Sequence, residues 1–439
     1  MMSDVRPHGY VPAPVRGLYI AGMATVFWDR FLVLTISEFH LKASYFLLLL
    51  ALAGYLASGG LLELSARLKT LLRPLVKSPW VWMLAFSLLC LVFCFHSPQV
   101  KKSIGYTMWC FFNLVAFAAL GIALFASRGD AAESRWREWL VYGWAAGVVL
   151  VAAIAIIDYV AFFFGAKDGL IGGFQPIVFG WAPGGLPRPY AFSYEPSFLA
   201  LAICMAAPVL LLKVILPGKF KSRLIAAIGL CIIAIALVPV FSRTGLVMFA
   251  LEMMLVIAWV FRQANRAHVI AVALALCLLC GGVFLLLPRG QKQAIYDRFI
   301  VSLIQHKDLS AQGRLLVFRG GIELVREHPW GSGPGTSMWR WQTHFEPAQA
   351  RMQHPQQATS MMSLWPEIAI EQGIEGLVLF LIFLMAFGWK LSRSSHWMGK
   401  GLLIAFVVIA GFDFFFLPTV TRADLWSLLA LGGILAEAR

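Results

Sequence analysis

Apolar runs of about 20 residues recur along almost the whole chain, separated by short polar breaks. A backbone inside such a run has no water to bond to once it is in lipid, so it must satisfy its own amides and carbonyls as a helix. The runs lie near 17–36, 44–62, 79–95, 105–126, 139–164, 196–214, 223–241, 245–261, 268–287, 366–389, 400–418 and 423–437. The expected fold class is an all-α polytopic membrane protein. It has about 12 transmembrane helices and one long, partly helical periplasmic loop. Composition agrees, with 60% hydrophobic and only 13% charged residues, which excludes an ordinary soluble domain.

The basic residues orient the chain. Arg67, Lys69, Arg73 and Lys77 share one loop, and Arg128, Arg135 and Arg137 another. Lys213, Lys219, Lys221 and Arg223 follow, then Arg262 and Arg266, then Lys390, Arg393 and Lys400. With about twelve spans, all of these fall on one side, which the positive-inside rule makes cytoplasmic, together with both termini. The net charge of +14 is read this way, plus an anionic ligand, rather than as a sign of nucleic acid. All seven cysteines lie in apolar runs, so no disulfide framework is expected.

One long polar segment remains, 288–365, between the helices of 1–287 and those of 366–439. Such a length of loop is uncommon without a function. Gln291 to Gln305 reads as an amphipathic helix, and Ser310-Ala311-Gln312-Gly313 as a break. Arg314 to Glu327 reads as a second helix with Leu315, Phe318, Ile322 and Val325 on its apolar face. Pro329 ends it, and the glycine-rich 331–335 is a turn. Trp330, Trp339, Trp341 and Phe345 suit either sugar stacking or a small core of the loop's own.

Ionisable groups at span ends and inside spans need a reason. Arg188 and Arg243 lie on the outer side, beside helix N-termini. They either snorkel to the headgroups or capture an anion, which guanidinium forks and helix N-termini both favour. Arg314, in the long loop, stands out with them. Glu195 precedes Pro196 at a helix start and is either a cap, an arginine's partner or a general base. Glu367 and Glu371, one turn apart, suit pairing with loop arginines. Among the loop histidines, His344 and His354 are the better candidates, following the glycine turn. No pair has H-x-x-x-H or C-x-x-C spacing, so no metal site is expected. Asp413 and the Arg422/Asp424 pair, at the outer end of the last two runs, have no assigned role.

Four stretches in this order resemble the O-antigen polymerase and O-antigen ligase superfamily of bacterial envelope glycan assembly. They are RPYAFSYEPS (188–197), SRTGL (242–246), SAQGRLLVFRGGIELVREHPWGSGPG (310–335) and PEIAIEQGIEGL (366–377). Many members, ligases above all, carry a His-Asn pair just before the last stretch. This chain has Met362 and Ser363 there, and its Tyr-Glu-Pro-Ser is similar to polymerases instead. The resemblance implies an inner-membrane glycosyltransferase passing glycan from undecaprenyl diphosphate to a lipid-linked repeat unit, with no cofactor. It implies Arg188, Arg243 and Arg314 on the diphosphate, and Glu195, His344 or His354 as the proton acceptor. A flippase and a chain-length regulator of the same pathway are the implied partners. A ligase acting on lipid A core or protein remains open, as does a transporter, although no internal repeat supports the latter.

Overall fold

The computed structural model describes residues 12–28, 33–36, 39–61, 65, 78–126, 131–166, 170–171, 174–175, 188–193, 195–261, 266–286, 289–296, 309–345, 363–415 and 422–437. The chain opens with α1 (Ala13–Ala24) and a tight hairpin of β1 (Leu34–Ile36) and β2 (Phe39–Leu41). Then come α2 (Ala43–Gly60), α3 (Pro79–Cys94), α4 (Val100–Phe125) and α5 (Ala131–Phe163). Two residue pairs, β3 (Phe174–Gln175) and β4 (Arg188–Pro189), make a second antiparallel ladder. After it run α6 (Pro196–Ile215), α7 (Phe220–Val240), α8 (Arg243–Val260) and α9 (Arg266–Leu286). The long polar segment supplies α10 (Arg289–Tyr296), α11 (Leu309–Glu327) and α12 (Ser337–His344). The chain closes with α13 (Leu364–Ser392), α14 (Trp397–Gly411), a 3₁₀ turn at Asp413–Phe415 and α15 (Ala423–Glu437).

Each apolar run from 44–62 onward falls on a helix, and the protein is an all-α polytopic membrane protein. Among the described residues, eight helices are long and apolar enough to cross a bilayer: α2, α4, α5, α6, α7, α8, α13 and α14. The first run, 17–36, departs from expectation. α1 stops after 12 residues, about 18 Å of rise against a hydrocarbon core of about 30 Å. Thr25 turns its hydroxyl back onto the carbonyls of Ala21 and Gly22, satisfying the last turn. The β-prone Leu34-Thr35-Ile36 then pairs with Phe39–Leu41 instead of continuing the helix.

Lipid supplies no hydrophobic drive between helices, so packing and buried hydrogen bonds must join them. Tyr19 donates its hydroxyl to the Phe117 carbonyl, joining α1 to α4. Trp144 donates from its indole to Ser427 Oγ at 2.9 Å, joining α5 to α15. Most of α6 is buried, and it packs against α7, α8 and α14. Within this core Glu252 of α8 is fully enclosed, neither carboxylate oxygen having a hydrogen-bond partner among the described residues. Asp413, in the 3₁₀ turn that follows α14, is close enough to interact with it electrostatically.

Polar contacts gather at two ends. At one, Arg16 pairs with Glu133 and Lys390 with Glu437, and Lys213 stacks on Tyr142 and Trp397. At the other, Ser103 Oγ donates to Pro334 O at 2.7 Å, and Arg188 Nε to Val240 O at 3.1 Å. The first end joins residues beside three of the basic loops, whereas 66–77 and 262–265 lie outside the described residues.

Candidate active site

α6 begins abruptly because Glu195 is extended and Pro196 occupies its first position, where a missing amide costs nothing. Just upstream, β4 carries Arg188, and a turn closes with Ser193 N bonded to Tyr190 O at 2.8 Å. Ala191 in that turn adopts φ 48°, unusual for a residue with a Cβ. The Arg188 guanidinium donates from Nε to the carbonyl of Val240, the last residue of α7. α7 ends there as Phe241 turns left-handed, and Ser242 caps α8 by accepting from Gly245 N at 3.2 Å. Arg243 is the first residue of α8. Gly245 lets this hinge press against α6, since a Cβ there would lie 2.5 Å from Ala200 Cβ. Cys204 Sγ donates to Gly245 O across the same contact. Arg188 is thereby bonded to the hinge that leads into Arg243, and that hinge packs on α6, whose N-cap is Glu195.

Glu195 is exposed. Its carboxylate accepts from Ser197 Oγ at 3.1 Å, and it makes no side-chain cap bond. Its carbonyl does the capping, accepting from Phe198 N and Leu199 N. A further arginine lies here: Arg422 Cζ sits 3.9 Å above the centre of the Phe198 ring and pairs with Asp424. Arg422 sits far from the other arginines in sequence, and no spacing rule links it to α6.

The glycine turn is more than a turn. α13 is broken at Gly373, with φ 71° and ψ −174°. The unwound carbonyls of Ile370 and Glu371 accept from Ser332 N and Gly333 N, both at 2.9 Å, and Ile374 N donates to Pro329 O at 3.0 Å. Glu371 Oε1 accepts from Ser337 N at the start of α12, and Oε2 from Gln372 Nε2. Glu371 is thus held by an amide and a neighbouring side chain, where the sequence suggested a loop arginine. The turn is pinned on its other side to α3 and α4: a Cβ at Gly333 would lie 2.5 Å from Ser97 Cβ, and Pro334 O accepts from Ser103.

The rest of the long segment differs from expectation in two respects. Residues 310–313 do not break the helix but form its first turn. The buried stripe of α11 is Val317, Gly320, Gly321 and Leu324, while Leu315 and Ile322 are exposed. The glycines decide this: the Trp341 ring lies where a Gly320 Cβ would project, so the bare face packs. Trp341 and Phe345 belong to a small core with Val317, Leu324, Met338 and Ile370, whereas Trp330 is exposed.

His344 Nδ1 lies 3.3 Å from Glu327 Oε2, and Glu323 brings a third ligand atom into a group spanning at most 4.8 Å. Spacing in the sequence did not reveal this set, because its members come from two helices. All three residues are exposed, as acidic surface groups commonly are. None of the described contacts joins His344 to Arg188 or Arg243. Arg314 sits in α11 with its side chain outside the described part, and His354 lies outside the described residues.

Residues 228–381 match the O-Antigen ligase family. The matched part takes in the Ser242–Gly245 hinge, the glycine turn and the break in α13, and leaves out Arg188 and Glu195. It supports an O-antigen ligase/polymerase-like chain, a polysaccharide polymerase- or ligase-type membrane enzyme. No curated protein matches the chain.

Proposed function

We propose that the protein is an inner-membrane polysaccharide polymerase of O-antigen or exopolysaccharide type, multi-pass with about twelve spans and both termini cytoplasmic. It transfers glycan from undecaprenyl diphosphate to a lipid-linked repeat unit at the periplasmic face. The observation that supports this reading is the bond from Arg188 to the Val240 carbonyl, three residues before Arg243, at a hinge that packs on α6. Guanidinium forks and helix N-termini both suit a diphosphate.

The acceptor hydroxyl attacks the anomeric carbon of the donor. The bond from that carbon to the diphosphate oxygen breaks, and its electron pair leaves with undecaprenyl diphosphate. The acceptor proton passes to a base, for which Glu195 is the first candidate, with His344 and His354 as the alternatives. Charge gathering on the leaving oxygen is met by Arg188 and Arg243, with Arg314 as a further candidate, a role a divalent cation fills elsewhere. No nucleotide sugar is required. A flippase and a chain-length regulator would act before and beside it.

The match to the ligase family supports a ligase as the second reading. Ser363 favours the polymerase: at the place where ligases carry His-Asn, it is buried, with its hydroxyl bonded to Phe414 O at 3.3 Å. Products separate the two, since loss of a polymerase leaves single lipid-linked repeats and loss of a ligase leaves lipid-linked polymer.

The direct test is purified protein given lipid-linked repeat units. Arg188→Lys and Arg243→Lys keep the charge but lose the fork and should be severely impaired while still inserting. Glu195→Gln should lose about 10²–10⁴-fold in rate, as expected for a positioned base, and His344→Ala far less. Normal polymerisation by both lysine variants would leave those arginines as headgroup anchors. A normal Glu195→Gln beside a dead His344→Ala would move the base to the loop.

A further inference from the structure

Arg422 is placed against its own electrostatics. It is the residue before α15, so its charge sits at that helix's positive end, where cations are disfavoured. It also lies over Phe198, within the first turn of α6, at a second positive end. Asp424 offsets one unit, holding the guanidinium by its Nε and Nη2 edge and also accepting from Leu425 N. Arg188, bonded to Val240 O, and Arg243, opening α8, lie at the hinge that packs on the same helix, α6.

The geometry around α6 is two-sided. Gly245, just inside α8, packs on Ala200, and Arg422 packs on Phe198. Residues two apart on a helix point about 200° apart. The Arg243 hinge and Arg422 therefore flank the N-terminal end of α6 from opposite sides. The ring beneath Arg422 and the carboxylate at its edge fix the guanidinium plane before any ligand arrives.

We propose that Arg422 is a third anion-holding arginine, set across the N-terminal end of α6 from Arg243, so that a pyrophosphate ester is gripped over that helix end from both sides. This rests on the polyprenyl-diphosphate reading above. Asp424 is then a positioning residue: it orients Arg422 and does not touch the ligand.

The alternative is that Arg422 serves only to neutralise Asp424. Arg422→Gln combined with Asp424→Asn removes both charges and strands neither, which separates the two roles. Full-length protein in detergent is titrated with farnesyl diphosphate and, separately, farnesyl monophosphate, following thermal stabilisation. The double variant should melt near the wild type without ligand, yet bind the diphosphate at least about tenfold more weakly, the usual scale for a charged hydrogen bond. Its preference for diphosphate over monophosphate should shrink. Arg422→Lys should bind the diphosphate more weakly as well. Unchanged diphosphate binding by the double variant, while Arg188→Lys and Arg243→Lys bind weakly, overturns the role of Arg422 and spares the active-site reading. No diphosphate binding by the wild type defeats that reading, and Arg422's role with it. A double variant that melts well below the wild type overturns the assignment in favour of a structural pair, unless Arg422→Lys melts normally and still binds weakly.

Discussion

His396 stands before α14, where its Nδ1 accepts from Met398 N at 3.3 Å and so caps the helix. Burial holds its imidazole below the ordinary value of 6.5; Glu138 opposes the shift, and Arg137 and Lys213 add to it. The cap needs the neutral ring. Above about pH 6.5 the ring is neutral whether the chain is folded or not, so this group adds no pH dependence. Below that value the unfolded chain binds a proton that the folded site resists, and stability falls as pH falls. Melting curves from pH 7.5 to 5 should show the wild type losing stability relative to His396→Asn, which keeps a cap that does not titrate. The loss should approach about 1 kcal/mol, the usual worth of a cap, and parallel curves would show that folding does not shift the ring's proton affinity. At this scale the sequence was readable where one residue type carries the chemistry. Arg188, Arg243 and Glu195 stood out as charges at span ends, and in the fold Arg188 bonds the end of α7, Arg243 opens α8 and Glu195 precedes α6. Arg422 stood out with Asp424 but without a role, because its partner ring on α6 lies more than two hundred positions away.

Among the elements, α13 is the one whose form the pattern hid. Its hydropathy reads as one uninterrupted span, and nothing in a glycine inside a helix announces a break. The break becomes visible only with the glycine turn that fills it, since the amides of 332 and 333 replace the lost helical bonds. Gly373 sits at a backbone angle essentially reserved for glycine. A Cβ there would lie 2.7 Å from the Trp330 carbonyl carbon and 2.8 Å from Pro329 O. Gly373→Ala should therefore destabilise the protein by about 3 kcal/mol or more. It should also free the loop, seen as faster amide exchange across 329–337. Retention of wild-type exchange there would mean that α13 tolerates the side chain without releasing the turn. α11 teaches the same lesson: of the expected apolar face Val325 packs on the small core and Phe318 is half-buried, but Leu315 and Ile322 are exposed, because glycines were what allowed contact.

For the whole molecule, the charge pattern put the regions near Glu133, Lys213 and Lys390 on one side, and contacts gather those three at one end. It could not count spans near the start, where α1 is too short and a hairpin follows. Which group faces out is open to measurement. Thr343, exposed on α12, should react as Thr343→Cys with an impermeant maleimide on intact spheroplasts, and Arg393→Cys only after permeabilisation. The reverse pattern would put the arginine cluster on the wrong side for a periplasmic transfer. The enclosure of Glu252 also bears on how the chain is made. α8 leaves the ribosome carrying a carboxyl that costs about 2.5–3.5 kcal/mol at mid-membrane on insertion scales. α6 is already there to pack against it, but α14, the other wall, begins only at Trp397. Until synthesis has passed that point Glu252 has one wall missing, so the C-terminal helices are what turn a loosely held insertion intermediate into a sealed bundle.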